Sequence, residues 1–356
     1  MNVDLVRKAA EIFLGEPAKG DPFPIGDGLI HHTFKATGAS GGAPILLQAI
    51  NTHIFRKPED IVYNYLLIYE YLRQKEQVPS IPAPVPATNK EYIWKDGDNQ
   101  YWRATSFIEG SYSPMVAESS EAACIVSKNF AHFTSSLAGL DTRLLKEILP
   151  GFHDLSARYR QFEMAVSTAP IDRLLKATHV IAEFRERKKL VEFYDAIIGT
   201  SDYPDRVMHH DSKISNILFD KKTNLAICPV DLDTVMPGKF FSDLGDMIRS
   251  MSCARDENSV EWGEIKVNPK FYESILSGYL EEMNSQLTDQ ERKNIHYSGI
   301  LMIYMQGIRF LADYLSGDRY YKTNYPEQNL NRALNQLILL ENLEEWLRSQ
   351  YAFNPY

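Results

Sequence analysis

Cysteine is scarce in this 356-residue chain, and the three that occur, Cys124, Cys228 and Cys253, are far apart and form no CxxC pair. Neither a disulfide framework nor a thiolate zinc site is indicated, and reduced thiols in a cytoplasmic protein are the expectation. Long apolar runs are missing too. The longest, Ile300–Met305, is far short of the roughly 20 residues that cross a bilayer, so no membrane partner is expected. The segment Met1–Leu14 carries Asp4, Arg7, Lys8 and Glu11 at intervals and reads as an amphipathic helix rather than a signal peptide. Basic charge is in deficit: 38 Lys and Arg against 47 Asp and Glu leave a net charge of −9. That argues against a nucleic-acid surface, while small anionic ligands need only local positive charge. There is no solenoid repeat or low-complexity segment, and no feature demands a dimer, so a monomer is expected.

With 44% hydrophobic and 24% charged residues the chain is an ordinary globular protein. Its length suggests one large domain or two lobes. Up to about residue 108 the text alternates short strands with one helix. Pro22–Gly28 and Ile30–Thr37 are joined by Gly26-Asp27-Gly28, a hairpin signal. Ile45–Ile50 and Gln100–Phe107 are strand-like, and Lys57-Pro58-Glu59-Asp60 opens a helix. Beyond Gly110, helical periodicity dominates over Ala117–Leu137, Leu155–Ser167, Ile171–Ile198, Pro269–Glu282, Gln290–Leu315 and Pro326–Tyr351. The expected fold class is α+β, with residues 1–108 a small β-rich lobe and 109–356 a larger, mainly helical one.

The densest polar run is His209-His210-Asp211-Ser212-Lys213-Ile214-Ser215-Asn216, followed by Asp231-Leu232-Asp233-Thr234 after an apolar strand. Phosphoryl transfer needs an aligned hydroxyl, a cation over the developing charge, and metals bridging phosphate oxygens. Asp211 has the chemistry to accept and orient the hydroxyl. Lys213 is a point charge for the γ-phosphate. Asn216 and Asp231 offer hard oxygen ligands suited to Mg²⁺.

His-x-Asp-x-x-x-x-Asn followed by Val-Asp resembles the catalytic loop and metal aspartate of the kinase-like phosphotransferases, among them aminoglycoside phosphotransferases, choline kinases and protein kinases. A closer resemblance covers most of the chain: the N-acetylhexosamine 1-kinases, which move the γ-phosphate of ATP to the anomeric hydroxyl of GlcNAc or GalNAc. It rests on Gly26-Asp27-Gly28, Leu47–Phe55, Asp211–Asn216, Asp231–Gly238, Asp243–Arg249, Arg309–Leu315 and Lys322–Leu330. The resemblance implies a protein kinase-like two-lobed fold, ATP and Mg²⁺ as cofactors, and a sugar as substrate. Position by position it implies catalysis by Asp211, phosphate contact by Lys213, and metal ligation by Asn216 and Asp231. Gly26, Gly28 and Thr33 would lie on the nucleotide, and Thr234, Arg309 and Tyr320 on the sugar. His209, Asp233 and Asp243 would be supporting residues, with Asp243 bracing backbone amides of the catalytic loop. The chain departs from that family's pattern at Leu29, where the family can place a histidine, and at His31, where asparagine is common. His210 replaces a glycine common in the wider superfamily. The strand lysine and helix glutamate of protein kinases are also missing: Ile45–Gln48 ends without lysine, and the helix after Pro58 centres on Asn64.

Other readings compete. A His209/His210/Asp211 metal site is disfavoured because adjacent strand residues point to opposite faces. Asp231 and Asp233, if on one strand, would face the same way as a glycosyltransferase metal pair. Gln306, Arg309 and Asp313 form a polar stripe that an Arg309–Asp313 ion pair would explain. The acceptor alternatives are choline, an aminoglycoside or another small alcohol. A non-catalytic nucleotide-binding pseudokinase is the alternative of a different class.

Overall fold

The computed structural model describes residues 2–26, 30–75 and 80–356. They form two compact units. The first holds Met1–Tyr112 together with Gly139–Leu149 and Leu218–Met236; the second holds Ser113–Ala138, Pro150–Ile217 and Pro237–Tyr356. The division therefore does not follow a single cut near residue 108. Asn64 gives a physical reason. Its side chain, 1% exposed, donates to the carbonyls of Lys146 (2.9 Å) and Val235 (3.0 Å) and accepts from the Lys146 amide (2.8 Å). One buried amide thus ties two later segments to the Pro58–Arg73 helix.

The first unit is built on an antiparallel sheet. Its strands run in the order Phe23–Pro24, His32–Ala36, Ile45–Ala49, Tyr101–Ser106 and Pro84–Val85, with Trp94–Lys95 also pairing with Tyr101–Ser106. Helix Val3–Leu14 starts where the Asn2 side chain accepts the Asp4 amide and stops at Gly15, φ 71°. Its buried face, Val6, Ala9, Ala10 and Phe13, has helical spacing and joins one cluster with Leu47, Trp102 and Ala104 of the sheet. Of these, the valine, leucine and phenylalanine side chains contribute about 1.5–3 kcal/mol each on full burial.

The second unit is mainly helical. Tyr297–Leu315 is buried along most of its length and packs against Leu155–Thr168, Phe241–Met251 and Gln328–Tyr351. Gly245 allows a close crossing of Phe241–Met251 with Tyr297–Leu315, since a Cβ there would lie 2.3 Å from the Ser298 carbonyl. Two expected helices are broken. Ile171–Ile198 divides into Ile171–Glu186 and Lys189–Ile197. Gln290–Leu315 divides into Asp289–Lys293 and Tyr297–Leu315. The short helix opens with a capping box, Thr288 with Glu291, and ends where Asn294 leaves helical geometry. Among the described residues, no helix is long and apolar enough to cross a membrane.

Candidate active site

In the second unit, strand Arg206–Met208 leads into the loop His209–Asn216. The amides of His209 and His210 donate to Asp243 Oδ2 (2.8 Å) and Oδ1 (2.7 Å). Asp243 stands in the first turn of helix Phe241–Met251 and is 1% exposed. One carboxylate therefore fixes two successive peptides. The chain turns sharply here, and His210 takes φ 64°, a conformation that favours glycine. His210 is held there by its Nδ1–H, which donates to the Met208 carbonyl (3.1 Å), and by the His153 ring at 5.0 Å. The buried His209 lies edge-on to Phe130, and its Nδ1 accepts the Asp211 amide (3.3 Å).

Asp211 is thus presented from a braced loop. Its Oδ2 lies 2.9 Å from Lys213 Nζ and accepts from Asn216 Nδ2 (2.8 Å). The same Nδ2 also donates to the Asp211 carbonyl (2.8 Å). Both amide hydrogens of Asn216 are then used, and its Oδ1 is the acceptor left for a cation. Burial works against the Asp211 charge. The Lys213 ammonium, the His209 ring and the Asn216 amide outweigh it, so the carboxyl sits below its usual range. Asp246 moves the other way: burial raises its carboxyl, Arg249 opposes that, and the Asp211 charge adds to it.

Arg309 and Tyr320 lie on neighbouring parts of the same unit. The Arg309 guanidinium sits 5.0 Å from the Phe152 ring and 5.8 Å from the Tyr321 ring, and donates to Gln306 Oε1 (2.9 Å). The alternative Arg309–Asp313 ion pair does not form; Asp313 has other partners. Asp313 accepts the amides of Arg319 (2.9 Å), Tyr320 (2.8 Å) and Tyr321 (2.9 Å), and Nδ2 of Asn329 (3.0 Å). Four donors saturate the carboxylate, so it shapes the loop bearing Tyr320, whose side chain is exposed.

The remaining candidates belong to the first unit. Gly26 has φ 67°, as a turn glycine should, whereas Gly28 falls outside the described residues. Thr33, Gln48 and Arg103 stand in one row across three strands. Gln48 Nε2 donates to Thr33 Oγ1 (3.3 Å), and Gln48 Oε1 accepts Arg103 Nε (3.0 Å) and Nη2 (2.8 Å). The row ends on Asp233: Arg103 Nη1 reaches Oδ1 at 2.5 Å and Nη2 reaches Oδ2 at 2.7 Å. His31 completes it. Its Nδ1 accepts the Asn51 amide (3.0 Å), so Nε2 carries the proton that meets Asp233 Oδ2 at 2.5 Å.

The shared-face expectation for Asp231 and Asp233 needs correcting. The strand ends at Pro229, Asp231 takes the left-handed conformation (φ 61°), and Leu232–Thr234 forms a 3₁₀ turn. Asp231 is consequently exposed while Asp233 is 2% exposed. They are not a metal-binding pair on a strand. Asp233 is the anion of a buried ion pair, and the half-buried Thr234 closes the same turn.

A sequence model of the phosphotransferase enzyme family matches residues 24–283, well over half of the chain. The chain belongs to that family. Solved structures show the same fold at low identity. A microcompartment-associated aminopropanol kinase matches with TM-score 0.63 and 16% identity, over 98% of each chain. A spectinomycin phosphotransferase in complex with ADP and spectinomycin matches with TM-score 0.61 and 12% identity, over 97% of this chain and 99% of that one. An ethanolamine kinase of Plasmodium vivax matches with TM-score 0.55 and 16% identity, over 88% of this chain and 81% of that one.

Three residues of this phosphotransferase escaped sequence reasoning. Arg103 had a signal: a lone cation within the apolar strand Tyr101–Ser106 requires a partner once buried. Asn64, which stands where protein kinases have a glutamate, cross-links three segments. Arg158 carried no local signal at all. It donates from Nε (3.2 Å) and Nη2 (3.1 Å) to the carbonyl of Phe152, the residue on whose ring Arg309 lies.

Proposed function

We propose that this phosphotransferase moves the γ-phosphate of ATP to the anomeric hydroxyl of an N-acetylhexosamine, as a cytoplasmic, Mg²⁺-dependent monomeric enzyme. The observation that carries the chemistry is the Asp211 carboxylate, kept ionised beside Lys213 and Asn216. It is suited to accept a hydrogen bond from the acceptor hydroxyl and to take its proton as the new O–Pγ bond forms and the bond from Pγ to the β-phosphate oxygen breaks, releasing ADP. An anomeric hydroxyl is more acidic than an ordinary alcohol, so modest base strength suffices. Lys213 meets charge developing on the transferred group. Asn216 Oδ1 and the exposed Asp231 carboxylate have the oxygen chemistry that Mg²⁺ prefers; the ion, when bound, neutralises phosphate charge. The ADP complex of the related spectinomycin phosphotransferase supports an adenine nucleotide as donor. Gly26, Gly28 and Thr33 are the proposed nucleotide contacts.

The acceptor assignment rests on the sequence resemblance, with Thr234, Arg309 and Tyr320 as sugar contacts. The arginine at position 309 also weighs against cationic acceptors such as amino alcohols, which a guanidinium repels. Incubation with ATP and Mg²⁺ and a panel of GlcNAc, GalNAc, glucose, choline, ethanolamine and kanamycin, followed by ³¹P NMR, tests the reading. A new anomeric phosphate on the N-acetyl sugars is expected. Transfer to an amino alcohol or aminoglycoside instead would overturn the acceptor while leaving the chemistry of Asp211 in place.

A further inference from the structure

Buried or half-buried arginines in this chain generally meet a carboxylate. Arg103, Arg173, Arg187, Arg206 and Arg249, with side chains 8%, 26%, 12%, 12% and 13% exposed, each pair with an aspartate or glutamate. Arg332, half-buried and without an ion pair among the described residues, spends its donors on Asn258, Asn329 and the Lys322 carbonyl. Arg158 and Arg309 are half-buried as well, and among the described residues neither makes an ion pair. They are joined through Phe152. Arg158 holds its carbonyl, and Arg309 lies on its ring at 5.0 Å. Arg158 Nη1 donates to Gln161 Oε1 (2.9 Å) and Arg309 Nη1 to Gln306 Oε1 (2.9 Å). A guanidinium has five N–H donors. Arg158 therefore keeps two N–H groups and Arg309 four beyond these bonds.

The surroundings connect the pair to the catalytic loop. Phe152 stacks on His153 at 4.6 Å, and His153 lies 5.0 Å from His210, which precedes Asp211. The pair is thus linked by contacts to the catalytic loop. Burial lowers the Arg158 guanidinium to about 10, and the Arg309 charge adds to that shift. Burial likewise keeps His153 neutral, helped by the charges of His210, Arg309, Arg158 and Arg249. Holding two like charges half-buried without a counter-ion is costly. An anionic ligand removes that cost, and two guanidinium forks suit the paired oxygens of a carboxylate, sulfate or phosphate ester.

We propose that Arg158 and Arg309 form an anion-recognising pair in the acceptor site, so that the favoured acceptor is an N-acetylhexosamine bearing an acidic group away from C1. This rests on the N-acetylhexosamine reading above. Arg309 becomes more than a contact to neutral sugar oxygens, and Arg158 becomes a specificity-determining residue.

The test compares kcat/KM for GlcNAc with that for its 6-phosphate, its 6-sulfate and its C6 uronic acid, alongside calorimetric binding of all four to the full chain without ATP. The ester and carboxylate probes separate the possible sources of charge. At least one acidic sugar should exceed GlcNAc by about tenfold or more, the scale of one charge-assisted hydrogen bond. Arg158→Gln should abolish that preference, read as the ratio of kcat/KM for the acidic sugar to that for GlcNAc falling to about one. Arg158→Lys, which keeps the charge without the planar fork, should retain part of it. Equal or better use of neutral GlcNAc by the wild type overturns the anion pair and leaves the sugar-kinase reading standing. Phosphorylation of none of the four overturns the sugar-kinase reading. In that case calorimetry still decides the pair: acidic-sugar binding that weakens in Arg158→Gln supports it, and no difference from GlcNAc overturns it.

Discussion

Arg103 and Asp233, 130 residues apart in sequence, meet through two nitrogen–oxygen contacts of 2.5 and 2.7 Å. The pair anchors the 3₁₀ turn that follows Asp231 to the central strands of the first unit's sheet. Burial opposes the Asp233 charge, but Arg103 and His31 outweigh it and hold the carboxyl below its usual range.

Asp233→Asn should therefore be strongly destabilising, because it leaves the Arg103 charge buried without its partner. A cost of about 3–5 kcal/mol is expected, read as a lower urea midpoint at neutral pH. The sign of the pH dependence follows from the lowered carboxyl. The Asp233 contribution is fully present above the unfolded value of about 3.9 and is lost as pH falls through the folded one. The gap between wild type and variant should narrow on acidification; a gap that widens would contradict the pair.

Asp211 should stay ionised across the ordinary working range, since its carboxyl is lowered. The acid limb of kcat/KM is expected below about 3.9. Lys213→Met removes the main charge holding it there and should move the limb upward. Asp211→Asn should keep nucleotide affinity and lose about 10²- to 10⁴-fold in kcat. An acid limb near neutral pH in the wild type would speak against Asp211 as the titrating group.

Gly238→Ala places a Cβ 2.4 Å from His210 Nε2 and 3.1 Å from Met208 Cγ. The His210 ring has to move, and with it the peptide that Asp243 holds. A lower kcat is expected with nucleotide binding unchanged, measured by steady-state kinetics and nucleotide titration.

Asp313→Ala removes the acceptor of three successive loop amides. The loop bearing Tyr320 should lose its fixed shape while the catalytic loop keeps its own bracing by Asp243. Acceptor KM should rise about tenfold or more, and nucleotide KM should not change. Equal effects on both would mean that Asp313 acts on general stability.

The local signals in the sequence were those whose chemistry lies within a few consecutive residues. Asp211, Lys213 and Asn216 occupy one short loop, and their mutual contacts span at most 5 positions. Strand and helix periods likewise came through, apart from breaks such as that at Asn294, where the turn conformation of one residue ends a helix. The Asp243 brace came from the family resemblance and not from local pattern, since its two amide bonds span 33 and 34 positions.

Short-range pattern carries the presence and spacing of the phosphoryl-transfer groups and the change from β-rich to helical text. Tertiary structure alone decided which charges are paired. Asp313 turned from Arg309 to backbone amides, and Asp233 took Arg103 and His31 across 130 and 202 positions. Among the described residues, Arg158 and Arg309 meet no carboxylate in an ion pair. The physical reason is that a charge's partner depends on burial and on distances in space, and neither is encoded in local periodicity.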